Sequence, residues 1–170
     1  LGRQFVFGRT IDEALANARE REVRGYRFSF DMLGEAALTA ADARRYATAY
    51  EGAIHAIGTA ARGAGIYAGP GISIKLSALH PRYTRSQRGR VMRELLPRVE
   101  SLALLARRYD IGFNIDAEEA DRLELSLDLL AELAAAPALG GWQGLGFVVQ
   151  AYQKRARGVI DWLVALARLH

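Results

Sequence analysis

The sequence predicts an α/β fold: a parallel (β/α) barrel, represented by about the first four βα units of a (β/α)8 barrel and preceded by one N-terminal helix. Three observations predict it. Four short apolar segments, around Phe28-Ser29-Phe30, Ile72-Ser73-Ile74, Phe113-Asn114-Ile115 and Phe147-Val148-Val149, each run into a polar residue: Asp31, Lys75, Asp116 and Gln150. Long helical stretches separate them, and strands alternating with helices imply a parallel sheet with right-handed crossovers. By difference of position, the four polar residues lie 44, 41 and 34 residues apart, which suits one strand, one helix and their loops. Polar groups at the C-terminal ends of successive parallel strands are how such a barrel builds a site. An open dinucleotide-binding sheet is the competing topology, but the first strand–helix turn lacks G-x-G-x-x-G.

Each element has its own signal. Thr10 with Glu13 forms a capping box, in which hydroxyl and carboxylate satisfy free backbone N–H groups, and opens a helix that stops near Gly25. The first strand is expected over 26–32. Thr39 and Asp42 form a second box, for a helix to about Thr59 in which Ala43, Tyr46, Ala47, Tyr50, Ile54 and Ile57 recur at helical spacing. Gly63, Gly65 and Gly69-Pro70-Gly71 break the chain before the second strand. Ser86 is expected to cap a helix to about Arg108, with Pro97 kinking or dividing it. Gly112 precedes the third strand. The third crossover helix is expected over 121–135, with Leu123, Leu127, Leu130 and Leu133 on one side, and Pro137, Gly140 and Gly141 stop it. The fourth strand is expected over 145–151 and the fourth crossover helix over 157–169. Residues 1–170 thus read as one partial barrel. A half barrel has two exposed sheet edges, so the rest of the barrel is expected to have been cut away or lost.

Composition narrows the function. There are no cysteines, which excludes disulfides and thiolate chemistry. No apolar run approaches the roughly 20 residues that span a bilayer. The start, Leu1-Gly2-Arg3-Gln4, has neither a signal-peptide layout nor an initiator Met, and reads as the beginning of an internal piece of a longer chain. The net charge of +4 raises the question of nucleic acid or an anionic membrane. Its arginines, however, sit beside acids, as in Glu20-Arg21-Glu22, and read as a solvated face. No nucleic-acid motif is present.

The candidate site residues carry distinct chemistry. Lys75, one of only two lysines, would bind a substrate carboxylate, form a Schiff base, or make an ion pair with Asp116 on the next strand. Asp116 lies close to Glu118 and Glu119, a trio that could suggest a metal. No histidine is near them, and Glu118 and Glu119 are expected to begin a helix, so no metal is expected. Asp116 reads instead as a partner for Lys75 or for an arginine of the missing half. Gln150 suits either hydrogen bonding to a heterocycle such as a flavin edge or a place among barrel-mouth neighbours. Asp31 is either a site acid or, on the better reading, a cap for the following loop. His80 is expected to be structural and His55 to lie in the core, while Arg82, Tyr83 and Tyr152 are loop candidates.

Four stretches then carry a resemblance. Phe30-Asp31-Met32-Leu33-Gly34-Glu35-Ala36-Ala37, the run from Gly69-Pro70-Gly71 through Lys75 to His80-Pro81-Arg82-Tyr83, the run from Asn114-Ile115-Asp116 to Leu123, and the run from Gly146-Phe147-Val148-Val149-Gln150 to Lys154 resemble the proline dehydrogenase domain of bacterial proline utilisation A. The resemblance covers nearly the whole chain. It implies a distorted (β/α)8 barrel holding FAD, oxidation of L-proline to Δ1-pyrroline-5-carboxylate, and electron transfer to a membrane quinone. It implies that Lys75 helps bind the proline carboxylate, that Asp116 orients it and the substrate-binding arginines, and that Gln150 and Val148 contact the flavin. It also implies a cytoplasmic parent protein peripheral to the inner membrane. The family's later motifs, a flavin-binding arginine segment and a last helix with paired arginines, are not in this sequence. Two other readings stand beside it: a Schiff-base barrel using Lys75, and a non-catalytic binding or assembly fragment.

Overall fold

Helices and strands alternate as the pattern predicts. The computed structural model describes residues 6–170, so the opening Leu1-Gly2-Arg3-Gln4 lies outside the described residues. In chain order the elements are α1 (Ile11–Glu22), β1 (Ser29–Asp31), α2 (Ala40–Ala61), α3 (Gly65–Ala68), β2 (Gly71–Ile74), α4 (Leu76–Leu79), α5 (Arg88–Tyr109), β3 (Phe113–Ile115), α6 (Leu123–Ala135), β4 (Leu145–Phe147) and α7 (Ala156–Leu169). The strands form one parallel sheet in the order β1-β2-β3-β4. This is the first half of a (β/α)8 barrel. No helix among the described residues is long and apolar enough to cross a membrane.

The caps show how local chemistry starts the helices. Thr39 Oγ1 accepts the Asp42 N–H at 3.1 Å, and the Asp42 carboxylate accepts the Thr39 N–H at 2.9 Å, so that box closes in both directions. At α1 only half the box forms as expected. Thr10 Oγ1 accepts the Glu13 N–H at 3.2 Å, but the Glu13 carboxylate takes the N–H of Arg9 rather than that of Thr10. Ser86 does not cap α5. It lies inside a 3-10 turn over Arg85–Gln87, and its hydroxyl meets that of Thr84 at 3.1 Å. Pro97 does not divide α5, which runs unbroken over 22 residues. Pro97 is on the exposed face, where water can satisfy the carbonyl its missing N–H would have bonded.

The core lies between the sheet's outer face and the helices. Tyr50, Ile54 and Ile57 of α2, Leu95 and Val99 of α5, and Ile72, Ile74, Phe113 and Ile115 of the strands are fully buried. Helices α2 and α5 press together at Gly58, where a Cβ would sit 2.1 Å from the Tyr109 ring. Helix α6 buries Leu125, Leu129, Leu130 and Leu133 with Ser126, whereas Leu123 and Leu127 are only half-buried. Leucines occur around much of this helix, so their spacing alone did not select the face.

Ser29-Phe30-Asp31, Ile72-Ser73-Ile74-Lys75 and Phe113-Asn114-Ile115-Asp116 alternate strictly in character, and Leu145-Gly146-Phe147-Val148 follows the same period except that Val148 is apolar. Side chains of a strand point alternately to its two faces. The bulky apolar set packs under the helices. The other set lines the concave side, where Ser29 and Ser73 hydroxyls lie 3.4 Å apart. A Cβ on Gly146 would fall 2.0 Å from Asn114 Oδ1, so a larger residue there would displace the Asn114 amide. The two edge strands are shorter than expected, β1 being 29–31 instead of 26–32 and β4 145–147 instead of 145–151. A ladder extends only as far as a neighbour pairs with it.

Candidate active site

Lys75 follows the last residue of β2, between the ends of β1 and β3. Its Nζ lies 2.8 Å from both Asp31 carboxylate oxygens, 2.9 Å from Asp116 Oδ2 and 3.4 Å from Glu35 Oε1. The expected pair with Asp116 is therefore one edge of a four-residue cluster. Asp31 is not a loop cap: it ends β1 on the concave face, where Lys75 is the nearest group able to balance its charge. Burial alone would lower the Lys75 pKa, but hydrogen bonds to Asp31 and Asp116 and the charges of Asp31 and Glu35 outweigh it and push it up. The ammonium is held charged.

Glu35 was not among the sequence candidates. Its side chain is 2% exposed, and it receives a hydrogen bond from the Tyr50 hydroxyl at 3.0 Å. The same hydroxyl oxygen accepts the Lys75 backbone N–H at 3.0 Å. Tyr50 itself read only as part of an apolar helix face. The available signals were an acid set among alanines just before the Thr39 cap, and two tyrosines, Tyr46 and Tyr50, one helical turn apart.

The loops beyond the strands frame an open cleft of about 600 Å³ lined by Glu35, Lys75, His80, Tyr83, Glu118 and Gln150. Glu118 and Glu119 do not begin a helix, since α6 starts only at Leu123. Glu118 instead accepts the Ser77 N–H at 3.0 Å and pairs with Arg122 at 3.1 Å, tying the loop after β3 to that after β2. His80 is buried and bonded within its own loop and to α5. Its Nδ1 accepts the Arg82 N–H at 3.1 Å, so Nε2 carries the proton and faces Glu94 at 3.2 Å. Burial pulls the His80 pKa down, against the opposing effect of Glu94. Tyr83 is buried, and burial together with the Glu118 charge raises its pKa. Arg82 and Tyr152 are exposed. His55 is not in the core: it is exposed on α2, and its Nδ1 lies 2.8 Å from the Tyr109 hydroxyl.

In register, Ile115 pairs with Phe147. The next residue along β4, level with Asp116, is Val148, and Gln150 stands two residues further out. Val148 is 37% exposed. Gln150 Oε1 accepts from Gln153 at 2.5 Å and Tyr152 at 3.3 Å, while its amide nitrogen has no acceptor among the described residues.

The polar groups thus gather at the C-terminal ends of parallel strands, the end at which (β/α) barrels assemble their sites. The sequence profile described as "Proline dehydrogenase" matches residues 14–170, and the chain belongs to that family. It is 69% identical over 167 residues to the bifunctional protein PutA of Klebsiella aerogenes, and 63% identical over 168 residues to that of Rhizobium meliloti. It covers 98% and 99% of this chain in those matches, but spans only 13% of each relative. Among solved structures, a mutant of Bradyrhizobium japonicum proline utilization A superposes with a TM-score of 0.85 at 55% identity, covering 98% of this chain and 17% of that one. Proline utilization A from Bdellovibrio bacteriovorus, at 22% identity and a TM-score of 0.89, shares the fold.

Proposed function

We propose that residues 1–170 form the N-terminal half of the site of an FAD-dependent proline dehydrogenase, which oxidises L-proline to Δ1-pyrroline-5-carboxylate and passes the electrons to a quinone. The observation that carries this reading is the Lys75 ammonium, kept charged at the strand ends by Asp31, Glu35 and Asp116. A fixed cation at the barrel mouth attracts the carboxylate of an amino acid. The surrounding acids stop the lysine from losing its proton in a partly dry site. They also bring more negative than positive charge, which suits cations arriving with the rest of the barrel.

The residues at the β4 end fit a flavin. Val148 presents an exposed apolar surface at the level of Asp116, and the Gln150 amide nitrogen is a free donor beside it. An aromatic heterocycle with ring carbonyls and nitrogens matches that pairing of face and edge. A bound FAD would supply the hydride acceptor for oxidation at the proline ring carbon next to a neutral ring nitrogen. This chain's residues hold and orient: Lys75 the carboxylate, Asp116 and Asp31 the lysine, Val148 and Gln150 the cofactor. We infer from the same reading a cytoplasmic whole protein that meets its quinone at the inner membrane.

A Schiff-base role for Lys75 is disfavoured, because that chemistry needs the neutral amine and the three acids stabilise the ammonium. The test is a chimera in which this segment replaces the matching stretch of the Klebsiella aerogenes relative. It should purify yellow and reduce a dye with proline. Lys75→Met should lower kcat/KM on the order of 100-fold, the size expected when a charged group that positions substrate is lost. A colourless chimera that does not oxidise proline overturns the reading.

A further inference from the structure

The Tyr50 hydroxyl sits beneath the charged cluster and has only one arrangement open to it. An ionised Glu35 can only accept, so the phenol must donate to it. The Lys75 peptide N–H can only donate, so the phenol oxygen must accept from it. Both contacts are 3.0 Å long, and Tyr50 is fully buried. Burial first, then Glu35, push the phenol pKa up, so it stays a neutral donor. The oxygen of Glu35 that it bonds, Oε1, is the one that faces Lys75 Nζ at 3.4 Å.

We propose that Tyr50 is a positioning residue for proline oxidation: it locks the β1–α2 loop that carries Glu35 to the backbone of Lys75, and thereby sets where the ammonium stands. This rests on the proline dehydrogenase reading. Lys75 has three N–H donors and three carboxylate partners, so a shift of Glu35 moves the balance point of the ammonium. Tyr46, one turn earlier on α2, also reaches this loop, through its hydroxyl to the Gly34 carbonyl at 3.3 Å. That contact is exposed and touches neither Glu35 nor Lys75, which makes Tyr46 the natural control.

The test uses the flavin-loaded chimera. Tyr50→Phe keeps the ring and removes the hydroxyl, leaving the Lys75 N–H without its partner. It should raise proline KM about tenfold, the scale of one buried polar group left unsatisfied, with kcat changed less. Tyr46→Phe should leave both constants unchanged. In a Glu35→Gln background, Tyr50→Phe should add little, because both changes act through one contact. Additive effects in that double variant, or wild-type KM in Tyr50→Phe, overturn the proposal. If Tyr50→Phe does not fold, Glu35→Gln alone carries the test: KM should rise several-fold, and an unchanged KM overturns it. Failure of the starting chimera to oxidise proline counts against the broader reading instead, so the two failures are distinct.

Discussion

β2 and β4 belong to one parallel sheet, yet they meet opposite environments. β2 has a paired neighbour on each side, and its Gly71, Ile72 and Ile74 are buried. β4 is paired on one side only, and its three residues are all half-buried. The helices follow suit. α5 buries Val91, Leu95, Val99, Leu102, Ala103 and Ala106, whereas α7 buries only Ala156 and Val159 and exposes Ile160, Trp162 and Val164. The polar side chains at the strand ends follow the same division. Lys75, on the enclosed strand, faces three carboxylates, while Gln150, beyond the open one, keeps a free amide. The enclosed region packs its apolar residues within this chain. The open region combines a bare strand edge with an apolar helix face.

Matched truncations would break that contrast most sharply. Ile74→Ala, at a fully buried position, should cost about 2–5 kcal/mol in a denaturant melt of this chain. Ile160→Ala, at a residue 48% exposed, should stay within about 0.5 kcal/mol. Similar losses at the two sites would show that α7 is packed as tightly as the centre. In the chimera, Ile160→Ala should become costly if the remaining barrel covers α7.

Amide hydrogen exchange sharpens the same contrast without mutation. Amides of β2 and β3 should be among the slowest, exchanging only on global opening, and those of α7 should exchange through cheaper local openings. Equal protection in both regions would remove the distinction.

The smallest effect is a pH dependence confined to the enclosed side. The folded-state pKa of His80 is depressed, chiefly by burial, so the folded chain favours neutral imidazole. The unfolded chain therefore binds more protons below the ordinary histidine value of about 6.5. Stability from this site is present above that pH and is lost as pH falls from there toward the folded pKa. Thermal melts between pH 7.5 and 5.5 should show that decline, and His80→Gln should flatten it. An unchanged slope in the variant would place its origin elsewhere.

Some of this architecture was legible because it is local. Thr39 and Asp42 form their box from four consecutive residues, and the α2 stripe of Ala43, Tyr50, Ile54 and Ile57 obeys one helical period. The strands' alternation was also present in the sequence. Read as period two, it sets Asp31 on the face of Ser29, and Lys75 on that of Ser73, and it makes Val148 rather than Gln150 the counterpart of Asp116. What failed was a choice among alternatives that the spacing left open. Glu13 turned to the Arg9 N–H, Ser86 to Thr84, and α6 to a leucine stripe that spacing did not distinguish from its neighbour. His55 was expected inside and is exposed, because the buried face of α2 is made by Ile54 and Ile57 on either side of it.

The sequence by itself determined the order of strands and helices, the presence of polar groups at strand ends and the family, since each is written in short runs whose physics is local. The tertiary structure alone decided that Lys75 answers to Asp31 and Glu35 as well as Asp116, and that the Tyr50 hydroxyl lies beneath them. Those contacts join residues 25 and 44 positions apart. A charge buried at a strand end takes whichever opposite charges the sheet brings within reach, and only the packing of β1 and α2 against β2 determines which those are.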